Sequence, residues 1–264
     1  MALTERSSRV VAAAKLHRHV GRKRAGRFLA EGPNLVEAAL RRGVVREVFV
    51  TESAAARFDT LLSGADVPVH VMTERAAKVL SDTVTPMGLV AACEPIAVTL
   101  DDVLAARAEC VVVGVGISEP GNAGTLIRLA DALGAAAVVL TGDSVDPYNA
   151  KCLRASAGSL FAIPVVTWHD STDAVRRLAA AGLQVLATTI DGETTVDGIE
   201  PLLATPTAWL FGSEAHGLAP GVAQLADRRV RIPMLGGAES LNVAAAAAIC
   251  LYLTARAQRG SRGS

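Results

Sequence analysis

Aromatic residues make up only 3% of this 264-residue chain. Its core must therefore be built from small aliphatic side chains, Ala and Val above all. Cysteine is equally sparse. Cys93, Cys110, Cys152 and Cys250 are far apart with no CxxC pair, which leaves zinc and redox motifs unsupported and argues against a disulfide framework. Cys110 and Cys250 lie in apolar runs and read as small core residues. No uninterrupted apolar stretch reaches membrane-spanning length, and residues 243–253 fall well short. The opening MALTERSSRV has no apolar signal core, so a cytoplasmic protein is expected.

Familiar nucleotide and nucleophile motifs are missing too. After the first long apolar strand the chain reads Gly114-Val-Gly116-Ile-Ser-Glu119, with Glu where a dinucleotide fingerprint needs its third Gly. The next strand ends Leu140-Thr141-Gly142, without the acidic residue that would hold a nicotinamide ribose. There is no GxxxxGK[ST] loop and no GxSxG elbow. Ser213 has no credible base, and His70, His169 and His216 are isolated.

What is present is an apolar chain with an uneven charge. Hydrophobic residues are 51% and charged residues 20%, enough for a sizeable core. The formal net charge is +0, yet the first 50 residues hold eleven basic and four acidic residues, a net of +7. About −7 is left for the rest, an asymmetry that suggests a polyanion-facing end, with a solvated basic helix as the alternative.

Residues 1–30 read as a basic helical segment, with Lys15, Arg18 and Arg22 at helical spacing and Arg24 beyond them. A turn at Gly32-Pro33 leads to a helix closed by Gly43. Strands at VREVFVT, VPVHVM and MGLVAAC alternate with helices at 54–62 and 74–80, as in a small α/β layer domain. Residues 94–102 read as a linker, which puts the domains at 1–98 and 99–264.

The second half repeats the alternation with longer strands. ECVVVGVGI, AAVVLTG, FAIPVVT, GLQVLATTI, TAWLFGS and residues 229–232 are the strands, with helices at 122–133, 149–156 and 173–181 between them. Such near-continuous apolar strands predict a mostly parallel sheet covered on both faces. Ligands bind beyond the carboxyl ends of such strands. Residues 116–122, 188–191, 212–216 and 234–238 all lie there, so one edge is the expected active site. The chain closes on a helix so rich in Ala, Val, Ile and Leu that burial on several sides is expected.

A polar set remains on those loops: Asn122, Arg128, Glu214, Ser240 and Asn242. Each has a plain explanation as a helix cap, a turn residue or a solvated charge. Their convergence on one edge favours function. The segments that carry them resemble the three motifs of the SpoU family of RNA ribose 2′-O-methyltransferases, within the SPOUT superfamily. The first is Glu119-Pro-Gly-Asn122 through Arg128, the second Leu210-Phe-Gly212-Ser-Glu214 through Leu218, and the third Ile232-Pro-Met through Ser240-Leu241-Asn242. Asp146-Pro-Tyr-Asn149 through Gly158 is also similar to the family, and residues 110–253 are covered in all. Phe28-Leu-Ala-Glu31-Gly32 resembles, more loosely, an L30e-like RNA-binding domain.

The resemblance implies an α/β fold with a trefoil-knotted, mostly parallel C-terminal domain behind a small L30e-like one. It implies S-adenosylmethionine as cofactor, no metal and a homodimer. Cofactor contacts carry over to Gly212, Ile232 and Leu241, with Thr188 and Met234 beside them. Arg128 would be the central catalytic residue and Asn122 would orient it or the ribose. Ser240 and Asn242 would fix the substrate phosphate or the first motif's loop, and Glu214 would hold the loops together. Arg18, Arg22 and Arg24 would bind RNA, with ribosomal RNA of the large subunit expected. Transfer RNA is the alternative substrate. A non-catalytic RNA-binding protein and an α/β enzyme of small metabolites are the alternatives from other classes.

Overall fold

The computed structural model describes residues 2–262. The chain forms two compact units, Met1–Ala97 with Tyr148–Ala162, and Val98–Pro147 with Ile163–Ser264. The first unit thus recruits a segment from just past the midpoint of the sequence.

In the first unit, helices α1 (Ser8–Ala14) and α2 (His19–Ala25) precede strand β1 (Phe28–Glu31) and helix α3 (Pro33–Arg42). Then come β2 (Val45–Thr51), α4 (Glu52–Arg57), α5 (Asp59–Ser63), β3 (Val69–Met72), α6 (Glu74–Leu80) and β4 (Leu89–Cys93). The sheet order is β1-β4-β2-β3, antiparallel except for the β2–β3 pair. The basic segment is not one helix, as the charge spacing suggested. It breaks at Arg18, whose backbone is extended, and residues 28–31 pair with β4. The helix expected over 54–62 breaks at Phe58.

The break at Arg18 explains a second difference. Arg22 is buried, and its Nη1 donates to the carbonyls of Leu16 at 3.1 Å and His17 at 2.9 Å. Those carbonyls end the preceding turn and have no helical partner, so the guanidinium caps them. Gly21 is needed beside it, because a Cβ there would lie 1.9 Å from the Lys15 carbonyl oxygen. Arg22 is therefore tied into the fold, and little of its side chain is exposed. Arg18 and Arg24 are exposed.

The recruited segment carries α9 (Ala150–Ser156). The Tyr148 and Phe161 rings cluster with Phe28, at 4.5 and 6.1 Å between centroids. The Ile96 N–H donates to the Tyr148 hydroxyl at 2.8 Å, and Arg154 pairs with Asp82 at 3.0 Å. In a chain so poor in aromatics, three rings in one place mark the main packing contact of this segment.

The second unit runs α7 (Leu100–Ala105), β5 (Cys110–Val115), α8 (Pro120–Ala132) and β6 (Ala137–Thr141). After α9 it resumes with β7 (Val165–Trp168), α10 (Ser171–Ala180), β8 (Gln184–Thr188), β9 (Thr194–Thr195) and β10 (Thr207–Phe211). It ends with α11 (Pro220–Ala223), β11 (Arg228–Arg231) and α12 (Val243–Arg262). The seven strands form one parallel sheet, in the order β7-β6-β5-β10-β8-β11-β9. The linker expected over 94–102 gives way to α7 at its end, where Thr99 and Asp102 form a capping box. The strand expected at FAIPVVT begins only at Val165, since Phe161 closes a 3-10 turn.

Val111, Val113, Val139, Val185 and Leu210 stack on one face of the sheet with Val175 and Leu178 of α10. On β10, the central strand, Trp209 is fully buried, and its indole N–H donates to Thr254 of α12 at 2.9 Å. This polar tie sets α12 against the sheet. The helix is not buried on several sides. Ala244, Ala247, Cys250, Leu251 and Thr254 form one buried stripe at spacings of three and four, while Ala245 and Tyr252 are exposed. Within one chain, α12 packs against α8, β10 and the 3-10 turn at Glu200–Ala204, and this leaves Ala245 and Tyr252 exposed.

Candidate active site

The site is built on four helix and strand ends of the second unit. Glu119 caps α8, its Oε2 accepting from the Asn122 N–H at 2.9 Å. That places Asn122 in the first turn, at the carboxyl end of β5. Asn242 caps α12 in the same way, its Oδ1 accepting from the Ala244 N–H at 2.9 Å. Beyond β10 the chain doubles back. Ser213 and Gly217 exchange backbone hydrogen bonds of 3.1 and 2.9 Å, with Glu214 at the start of the turn. Gly212 is required here, since a Cβ would sit 2.2 Å from the Gly217 carbonyl carbon.

These ends are linked through side chains. Asn122 Nδ2 donates to Glu214 Oε1 at 2.9 Å, and Asn242 Nδ2 donates to Asn122 Oδ1 at 3.0 Å. The backbone N–H groups of Ser118 and Glu119 approach the same carboxylate at 3.4 Å. An amide suits the middle position, because its Nδ2 donates to the carboxylate while its Oδ1 accepts from the other amide. Burial pushes the Glu214 carboxyl up. The hydrogen bonds from Asn122 and the loop N–H groups outweigh it and hold the carboxyl below its ordinary value.

Beside this relay opens a cleft of about 830 Å³. It is lined by Thr188, Gly212, Ile232, Met234 and Leu241, all five expected cofactor positions, and by Glu214 and Ser240. Asn122 and Asn242 are joined to it through Glu214. Arg128 is apart from it. It lies nearly two turns further along α8, exposed and without an ion-pair partner among the described residues. Thr188 has its hydroxyl committed to the Leu210 carbonyl at 2.9 Å. The expected set omitted the backbone of Ser118 and Glu119, for which no residue type gives a signal. It also omitted Arg229, paired with Glu193 and Asp191 at 3.0 and 3.3 Å.

The cleft suits a nucleoside-like cofactor. Its volume is within the roughly 300–1,000 Å³ of small-molecule sites. Among the described residues, no peptide group from 234 to 241 is hydrogen-bonded to another, so this loop can present N–H and C=O groups to a base edge. Ile232, Val243 and Ala246 supply an apolar wall. Among the described residues, no three His, Cys, Asp or Glu side chains are grouped to hold a metal ion. No helix among them is long and apolar enough to cross a membrane.

A parallel sheet with its site at the carboxyl edge, laced by polar side chains from distant loops, defines an α/β ligand-binding enzyme domain. Residues 109–252 match the SpoU rRNA Methylase family, and residues 7–91 match the MRM3-like substrate binding domain. The chain belongs to the SpoU rRNA methylase family. It is 35% identical over 239 residues to the 23S rRNA (guanosine(2553)-2′-O)-methyltransferase RlmP of Bacillus subtilis, covering 90% of this chain and 92% of that one. The SpoU methyltransferase AviRb from Streptomyces viridochromogenes, solved in complex with the cofactor AdoMet, superposes with a TM-score of 0.83 at 32% identity, covering 97% and 99% of the two chains. An AdoMet-bound rRNA methyltransferase from Sinorhizobium meliloti does so with a TM-score of 0.83 at 30% identity, covering 97% of each.

Proposed function

We propose that this chain methylates a ribose 2′-hydroxyl of 23S ribosomal RNA with S-adenosylmethionine as donor. The observation that carries this reading is the Glu214–Asn122–Asn242 relay, which ties the three motifs together beside a nucleoside-sized cleft. The family and the named activities of its relatives point the same way.

The bound cofactor supplies a methyl group already activated on a sulfonium. The protein has then to align the groups and raise the nucleophilicity of the hydroxyl. In this reading the peptide groups near Gly212, Ile232 and Leu241 hold the adenine, with Met234 and Thr188 beside it. Arg128 stabilises the alkoxide that develops on the ribose, as a guanidinium free of other partners can. Asn122, Asn242 and Glu214 hold the loops at fixed spacing, and the exposed Ser240 hydroxyl serves the substrate phosphate.

Arg128 faces solvent within one chain, and so does the Ala245–Tyr252 face of α12. We read both as parts completed by a second copy, in a cytoplasmic homodimer with the trefoil-knotted chain path of the SPOUT proteins. Arg18 and Arg24, on the basic face of the first unit, serve RNA. Sedimentation at micromolar concentration tests the dimer, and an active monomer contradicts it.

The function itself is tested with labelled S-adenosylmethionine and separate pools of ribosomal and transfer RNA. Label is expected in 23S RNA, at a ribose that mapping identifies by its resistance to alkali. Label confined to transfer RNA, or absent from all RNA, overturns the reading.

A further inference from the structure

Thr188, the last residue of β8, and Thr189, just beyond it, differ in what they do. Thr188 spends its hydroxyl on the Leu210 carbonyl and so ties β8 to β10. Thr189 is fixed by its backbone, whose N–H donates to the Val230 carbonyl at 3.0 Å. Its Oγ1 is buried and has no hydrogen-bond partner among the described residues. The residue lines the cleft. A hydroxyl withdrawn from water without a partner destabilises the fold, so a chain that keeps one in a ligand cleft has a use for it there.

The chemistry of its surroundings narrows that use. A hydroxyl is a neutral donor and acceptor, suited to a ligand group that is both. Of the two arginines in the wall, Arg229 is already paired with Asp191 and Glu193, and Arg231 is exposed to solvent. The unpaired peptide groups of residues 234–241 supply complements for a base edge. A sugar hydroxyl is the part of an adenosine that these leave unserved. We propose that Thr189 is a cofactor-binding residue whose hydroxyl bonds a ribose hydroxyl of the adenosine. This rests on the S-adenosylmethionine reading above.

The test is calorimetric titration of S-adenosylhomocysteine into the wild type, Thr189→Val and Thr189→Ser, with thermal melts of each free protein. Thr189→Val keeps the shape and removes the hydroxyl. It should weaken binding roughly ten-fold, the size of a lost hydrogen bond that strands its partner. Its free form should melt no lower than the wild type, because an unpartnered buried hydroxyl has gone. Thr189→Ser should stay within about three-fold of wild-type affinity. The 2′-deoxy and 3′-deoxy forms of the same ligand identify the contact. One of them should lose affinity for the wild type and lose no more on Thr189→Val. Wild-type affinity in Thr189→Val overturns the assignment, as does a full further loss with both deoxy ligands. A wild type that binds no S-adenosylhomocysteine overturns the cofactor reading itself, a separate outcome.

Discussion

Asn122 and Asn242 are 120 residues apart in the chain and share a hydrogen bond of 3.0 Å. Each also caps or follows a helix start, so the bond fixes the mouth of α8 against the mouth of α12. Asn242 has two duties that substitution can separate. Asn242→Asp keeps an acceptor for the Ala244 N–H and suits the positive end of the helix, but it cannot donate to Asn122. It should keep wild-type stability within about 0.5 kcal/mol and lose methyl transfer. Asn242→Ala should lose both, with roughly 1 kcal/mol of stability gone with the cap. Melting curves beside single-turnover methylation check this, and full activity in Asn242→Asp would remove the relay from the mechanism.

The Glu214 carboxyl, held below its ordinary value, gives the relay a pH signature. A depressed carboxyl contributes stability that is present above its unfolded value and is lost as pH falls through the folded one. Wild type should therefore melt above Glu214→Gln at neutral pH. The gap should close in acid, below the ordinary glutamate range. A gap that stays constant on acidification would show that the carboxylate is not what the loops hold.

Arg128 is exposed on α8, with no ion-pair partner among the described residues. Lysine keeps the charge and loses the planar fork. Arg128→Lys and Arg128→Ala should both slow methyl transfer by roughly a hundredfold or more. Cofactor affinity should change little, because Arg128 lies outside the cleft lining. Near-normal turnover in the Ala variant would return Arg128 to the solvated surface.

Arg22 and its neighbours should behave oppositely. Replacing the exposed Arg18 and Arg24 with Gln should weaken RNA binding and lower the slope of log affinity against log salt, by about 0.7–0.9 for each phosphate no longer neutralised. Arg22→Gln should instead lower the melting temperature, since it frees two carbonyls the guanidinium caps. An unchanged salt slope in the Arg18 and Arg24 variant would leave the basic face as a solvated one.

Thr254 tests how α12 is held. Thr254→Val keeps the shape and leaves the fully buried Trp209 N–H without its acceptor. A loss of about 1–3 kcal/mol is expected, read by denaturant unfolding. A neutral result would mean that α12 is set by its apolar stripe alone.

Most of the fold was legible because sheet and helix periods are local properties. Apolar runs located the strands of both units except β1 and the two-residue β9, and Asn122, Glu214 and Asn242 stood out as polar residues on loops at one sheet edge. The errors fall where a period continues but the chain does not. Charges at helical spacing ran through Arg18, where the backbone is extended. The apolar FAIPVVT run hid a 3-10 turn, and β1 is too short to show a period at all.

The sequence by itself determined the parallel sheet, the edge that carries the site, and the three motifs that define the family. These follow from residue order and spacing, which any conformation of the chain preserves. Tertiary structure alone decided which polar groups are paired. It buried Arg22 while leaving Arg18 and Arg24 in water, and gave Trp209 its acceptor on α12. It also drew Tyr148–Ala162 into the first unit and left the Thr189 hydroxyl at the cleft with no partner among the described residues. The physical reason is that a polar group's partner depends on which groups lose their water together. That is settled by elements brought together from distant parts of the chain, as Asn122 meets Asn242.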